Sequence, residues 1–87
     1  THIAGSPPNY NPRVKKILEE KTPDILICGH SHILKIMRDK ERNMFFINPG
    51  AAGQHGFHNM KTLVRFELDQ KEIRKMEVIE LGKRGQL

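Results

Sequence analysis

The stretch that most constrains this chain is residues 24–28, "DILIC", an unbroken apolar run of strand length closed by Gly29. A strand apolar on both sides is expected to be buried on both faces, as in a parallel or mixed sheet covered by helices. One helix is on offer just upstream. Asn11 and Pro12 read as an N-cap followed by proline at the first helical position. In "PRVKKILEEK" Val14, Ile17 and Leu18 then fall at i, i+3 and i+4, on one face. Thr22-Pro23 ends the helix, because a residue before proline avoids the α region. Ahead of it, "THIAG" reads as the end of a short strand and "SPPNYN" as a loop. A strand, a helix and a second strand make a β-α-β unit, whose crossover returns the chain parallel to its start.

Beyond the glycine the pattern turns to strands. "ILKIMR" and "MFFI", joined by the polar "DKERN", predict a hairpin over 33–47. "NPGAAGQHG" is a Gly-rich loop. "TLVRFELD" and "IRKMEVIEL" each alternate, the second through Ile73, Lys75, Glu77 and Ile79, and "GKRGQL" is expected to fray. The fold class is therefore α/β, one early helix followed mainly by strands, in one small domain or part of one. Eighty-seven residues can hide only roughly 60–65% of their unfolded surface. The chain opens on Thr1 and reads as entered partway through.

Composition excludes some classes. No apolar run approaches the ~18 residues of a membrane span. The formal charge is +5, but the 15 basic residues are interleaved with 10 acids, and only five aromatics are present. Nucleic-acid binders cluster both, so a nucleic-acid partner is not expected; the charge instead steers anionic substrates. The single cysteine, Cys28, rules out an intrachain disulfide and suits a reducing, cytoplasmic setting. Within "DILICG" it reads as a small buried apolar residue rather than a nucleophile.

The candidate chemistry lies where strands end at small residues. His2 in "THIAG", His30 and His32 in "GHSH", and Asn48 in "NPGAAG" share that position. Loops leaving the carboxyl ends of neighbouring strands converge at one sheet edge, where such folds bind ligands. Neutral imidazole is the commonest nitrogen ligand for transition metals, and a His-x-His in a loop can serve two different cations. Hydrogen-bonded loop histidines are the ordinary alternative. His55 and His58 in "GQHGFH" are either exposed loop residues or substrate contacts. Tyr10 reads as packing and Arg65 as solvent-facing.

The ordered combination "THIAG", helix, "DILICGHSH", hairpin and "INPGAAG" closely resembles the C-terminal half of calcineurin-like metallophosphoesterases, most of all the small YfcE-type phosphodiesterase branch. That resemblance implies an α/β/β/α sandwich, with residues 1–87 forming the C-terminal part of a single domain whose N-terminal half is absent. It implies metal-ligand roles for His2 and His30 on one cation and for His32 on the other. Asn48 and Gly50, with His55 and His58, would border the substrate pocket. Two divalent cations would hold a bridging hydroxide that attacks a phosphate ester, a small molecule or nucleotide. Manganese is the first expectation, and iron, zinc or nickel would also suit nitrogen-rich sites.

The departures carry equal weight. The Asp-x-His, Gly-Asp and Gly-Asn-x-Asp motifs that supply the family's bridging carboxylate are missing, and Asp24, Asp39 and Asp69 are poor substitutes. No catalytic residue is therefore assigned, and the chain alone is expected to be inactive. Its partners are expected to be the N-terminal half of the same domain or, through the exposed face, further copies of itself. A non-catalytic scaffold on the same fold, like the phosphoesterase-like retromer subunit, is the competing reading.

Overall fold

A computed structural model of the chain describes residues 1–53, 60–70 and 72–83. The helix α1 spans Pro12–Glu20. Asn11, extended at φ −65° and ψ 157°, caps it: its side chain accepts from the Val14 N–H at 2.9 Å. The same amide donates to the Ile3 carbonyl at 3.0 Å, fastening the cap to the segment before it. At the other end Thr22 Oγ1 donates to the Leu18 carbonyl at 2.7 Å. Val14 and Leu18 are buried, but Ile17 is 53% exposed. Its expected place on the packed face is thus only half realised, because no described element covers that side of α1.

Two expectations about the first ten residues are corrected. Residues 1–4 form no strand, although the Thr1 backbone nitrogen donates to Ile27 O at 3.0 Å and Gly29 N–H donates to His2 O at 2.8 Å. The two bonds advance in the same direction along both segments, so the opening residues run parallel to the next strand without a regular ladder. The predicted loop "SPPNYN" contains a miniature hairpin instead, β1 (Gly5–Ser6) against β2 (Asn9–Tyr10).

The main sheet has three strands in the order β3-β5-β4, with β3 Ile25–Ile27, β4 Leu34–Asp39 and β5 Met44–Pro49. β5 lies in the middle, parallel to β3 and antiparallel to β4. The hairpin expected at 33–47 is present, with Ile36 opposite Ile47 and Met37 opposite Phe46. β3 is buried less than its apolar sequence promised: Ile27 is 48% exposed, although Cys28 just beyond it is buried. α1 covers one face of the sheet; on the opposite face Ile47 is buried and Phe45 half-buried. The core comprises Ala4, Tyr10, Val14, Leu18, Cys28, Met44 and Phe46, with Leu26 and Met37 against it. Phe46, Met44 and Ile47 are fully buried, each contributing about 2–3 kcal/mol of transfer free energy.

Tyr10 ties the small hairpin to the turn between β4 and β5. Its hydroxyl donates to Asp39 Oδ2 at 2.7 Å, and Arg42 reaches the same oxygen at 3.3 Å while its guanidinium lies 5.1 Å from the Tyr10 ring centre. The Tyr10 hydrogen bond holds the Asp39 carboxyl below the usual range against the opposing effect of burial, with Arg42 adding to the depression. Burial, then the bond to Asp39, pushes the Tyr10 phenol well above its ordinary value.

The last two strands, β6 (Met60–Asp69) and β7 (Glu72–Lys83), form a separate antiparallel ribbon. β7 reaches Lys83, so Gly82 and Lys83 are paired with Lys61 and Met60 rather than frayed, while the remainder of the tail, 84–87, lies outside the described residues. Nor does β7 alternate without interruption. Arg65 faces Glu77 while Glu67 faces Arg74, so β7 carries an extra residue there, with Lys75 left-handed at φ 52°. The bulge puts Ile73, opposite Leu68, on the same face as Val78, opposite Val64. Leu68 and Val78 on that face are 63% and 44% exposed, whereas the other face carries the Arg65–Glu77 and Arg74–Asp69 ion pairs. Arg65 is solvent-facing, as expected. The molecule measures 44 × 31 × 16 Å, and its radius of gyration of 13.9 Å exceeds the about 12 Å of a compact chain this long.

Because the folded Asp39 carboxyl is depressed, its contribution to stability is complete above about pH 4 and is lost as pH falls through the folded value. Asp39→Asn is therefore expected to flatten the acid limb of the stability–pH curve, read from urea midpoints at several pH values. Tyr10→Phe should cost about 2 kcal/mol at neutral pH in the same assay.

Candidate metal centre

The strand order decides where the histidine loop goes. β3 and β4 lie on opposite sides of β5, so residues 28–33 must cross over the carboxyl end of β5, where Asn48, Pro49 and Gly50 stand. Cys28 N–H donates to Ile47 O at 3.0 Å, which keeps the start of this arch in the sheet. Burial pushes the Cys28 thiol up, away from the thiolate a nucleophile requires.

Within the arch His30 and His32 both adopt left-handed backbone, φ 69° and 62°. Non-glycine residues enter that region at a cost of about 1–2 kcal/mol each, and such strain concentrates at functional sites. His30 turns towards His2: its Nδ1 lies 3.3 Å from His2 Nε2, and the rings meet edge-on at 80° with centres 5.2 Å apart. Both side chains are exposed. His32 is half-buried and forms no cluster of three with the pair.

Two facing imidazole nitrogens at this distance can share either a proton or a cation. Nitrogens bound at about 2.1 Å to one metal stand about 3.0–3.4 Å apart at octahedral to tetrahedral angles, so the separation matches a shared cation as well as it does an N–H···N hydrogen bond. Two nitrogens make only part of a coordination shell. Among the described residues no group of three His, Cys, Asp or Glu could hold a metal. Asp39 is committed to Tyr10 and Arg42, Asp69 to Arg74, and Asp24 is exposed beside β3.

Asn48, expected to border a substrate pocket, lies beneath the arch. It is 4% exposed, and its side chain is bonded to Gly29, Ser31 and Gly50. Gly50 ends β5 at φ +77°, and a Cβ there would collide with Thr62 Oγ1, which donates to Pro49 O at 2.8 Å. That close approach joins the loop to β6 and requires glycine. His55 and His58 lie outside the described residues. Tyr10 belongs to the core. Beside His2, an open groove of about 930 Å³ is lined by Ile3, Val14, Ile17, Leu18, Pro23 and Leu26 among others.

Residues 1–71 match the calcineurin-like phosphoesterase superfamily domain. The chain belongs to that superfamily. Among solved structures, Vps29 from Entamoeba histolytica, complexed with Zn2+, is similar at 21% identity and a TM-score of 0.57, over 92% of this chain and 52% of that one. Vacuolar protein sorting 29 from Cryptosporidium parvum matches at 21% identity and a TM-score of 0.39, over 84% of this chain and 45% of that one. The chain thus spans about half the length of these structures. No curated protein matches the sequence. The α/β fold of mixed sheets is that of the superfamily, and no helix among the described residues is long and apolar enough to cross a membrane.

Gly50→Ala combines a left-handed backbone with a steric collision, and is expected to destabilise the protein by more than about 2 kcal/mol in chemical denaturation. Gly53→Ala, where a Cβ meets nothing within 4 Å, is the matched control and should be nearly silent.

Proposed function

We propose that this chain carries the histidine-bearing half of a divalent-metal phosphoesterase centre that hydrolyses phosphodiesters. The observation that supports it is the 3.3 Å approach of His2 Nε2 to His30 Nδ1, at the carboxyl edge of the sheet in a superfamily of this type. His2 and His30 would hold one cation and His32 would serve a second. Manganese remains the first choice, with iron, zinc and nickel as alternatives. Bound cations at such a centre supply Lewis acidity towards phosphoryl oxygens and water made nucleophilic near neutral pH.

The chain's own residues prepare that site. The left-handed turns at His30 and His32 present two imidazoles from one short arch, and the Gly29 N–H bond to His2 O sets the third alongside. The small residues of the Asn48–Gly53 segment leave backbone room for a phosphate ester or nucleotide close to them. The missing carboxylate ligands would come from the complementary half of the fold. The apolar groove beside His2, which includes exposed Ile3 and Ile17, is where that half would pack. A cytoplasmic setting remains part of the proposal.

A second reading is a non-catalytic interaction scaffold on the same fold. It is favoured by the absence, among the described residues, of any third metal-capable side chain beside the histidine pair.

The full-length protein is expected to bind divalent cations at neutral pH and to hydrolyse bis-p-nitrophenyl phosphate. His2→Ala and His30→Ala should each lower cation affinity at least about 10-fold. A full-length protein without bound cation at neutral pH would leave the scaffold reading. The 87-residue chain by itself should show no hydrolysis and should self-associate in sedimentation, because its apolar groove and ribbon face are uncovered.

A further inference from the structure

The two left-handed histidines need something to hold them, since each occupies a backbone region that costs about 1–2 kcal/mol. The restraint lies beneath the arch. Asn48 Nδ2 donates to the Gly29 carbonyl at 3.2 Å and to Ser31 Oγ at 3.0 Å. Its Oδ1 accepts the Gly50 N–H at 3.1 Å. Ser31 passes the restraint on: its N–H donates to Gly29 O at 2.9 Å, and its Oγ accepts the Ile33 N–H at 3.2 Å. Gly29, Ser31 and Ile33 are thereby fixed, and these are the residues that flank His30 and His32. Alternate residues of the arch are tied down while the histidines between them take the left-handed turns.

Chemistry decides which way the Asn48 amide points. A carbonyl can only accept and an N–H can only donate, so Nδ2 must face Gly29 O and Oδ1 must face Gly50 N. All three bonds lie at a side chain that is 4% exposed, where lost partners are not replaced by water. Gly29 is also the residue whose N–H holds the His2 carbonyl. One buried amide therefore reaches both members of the facing pair, His30 through the arch and His2 through Gly29.

We propose that Asn48 is a positioning residue for the histidine centre: it sets the left-handed turns of His30 and His32 and so governs cation affinity without ligating the metal. This rests on the reading that His2 and His30 share a cation, but the backbone part of it stands without metal. Asn48→Asp is the discriminating substitution. It keeps the shape and the acceptor for Gly50 N–H but removes both donations, and sets a carboxylate oxygen against the Gly29 carbonyl. Ser31→Ala, at an exposed position, removes one of the two acceptors together with the partner of Ile33 N–H, and leaves the core untouched.

The test uses the full-length protein with two readouts. Without metal, φ-sensitive backbone couplings of His30 and His32 are measured by NMR; with Zn2+ as probe, affinity is measured by chelator competition. In both variants the couplings should leave the left-handed range, and zinc affinity should fall about 10-fold or more for Asn48→Asp and less for Ser31→Ala. Tyr10→Phe, which weakens the protein away from the arch, should change neither. Unchanged couplings in Ser31→Ala and Asn48→Asp, or zinc affinity within twofold of the parent, would overturn the positioning role. Equal loss of zinc in Tyr10→Phe would also overturn it, by reducing the effect to stability. If His30→Ala binds zinc as tightly as the parent, the shared-cation reading fails instead, and the couplings still decide whether Asn48 holds the arch.

Discussion

The parallel pairing of β3 with β5 is the constraint on which the rest of this structure depends. Ile25, Leu26 and Ile27 align with Phe45, Phe46 and Ile47. With β4 on the other side of β5, the chain leaving β3 has one route, over the carboxyl end of the central strand. That route turns an ordinary strand-to-strand connection into an arch with a buried asparagine under it. The same parallel direction continues into the opening residues, where Gly29 N–H holds His2 O and so sets the first histidine beside the second. The histidine pair is a consequence of strand order, since its members lie 28 positions apart in sequence.

Around this edge the molecule is unevenly finished. One side of the sheet is closed by α1, by a small core centred on Phe46 and Met44, and by the buried Tyr10–Asp39–Arg42 network. The remaining surfaces present Ile3, Ile17, Ile27, Leu68 and Val78 outward. The bulge at Lys75 gathers Ile73 and Val78 onto one face of the ribbon, leaving charged pairs on the other. A two-stranded ribbon with one apolar face is marginal without a partner layer. The chain covers 52% of the similar Entamoeba histolytica structure.

Local sequence was a sound guide where a pattern and its chemistry lie within a few residues. Asn11 and Pro12 announced the start of α1, and the polar turn after "ILKIMR" announced the β4–β5 hairpin. It misled where the outcome depends on what lies opposite. Ile17 sits at helical spacing with Val14 and Leu18, yet spacing cannot say whether a neighbour covers that side. "IRKMEVIEL" alternates on paper, but its bulge is defined by the pairing of Arg65 and Glu67 with Glu77 and Arg74 across the ribbon. For the candidate site, His2, His30 and His32 stood out as residue types following glycine-punctuated strand ends. Asn48 stood out as a candidate pocket residue after a strand end, but its buried bonds beneath the arch did not, because its partners Gly29 and Ser31 are nearly twenty positions away.

By itself the sequence determined the alphabet of this protein: one capped helix, a short apolar strand ending at glycine, hairpins, and imidazoles at loop positions. Those features are local, set by backbone sterics, capping bonds and the period of apolar residues. Tertiary structure alone decided that His2 and His30 face each other, that two non-glycine residues of the arch turn left-handed, and that one buried amide lies beneath them. These are matters of strand order and burial. They depend on which segments meet, and a hydrogen bond gains its full weight only after water has been excluded from both of its partners.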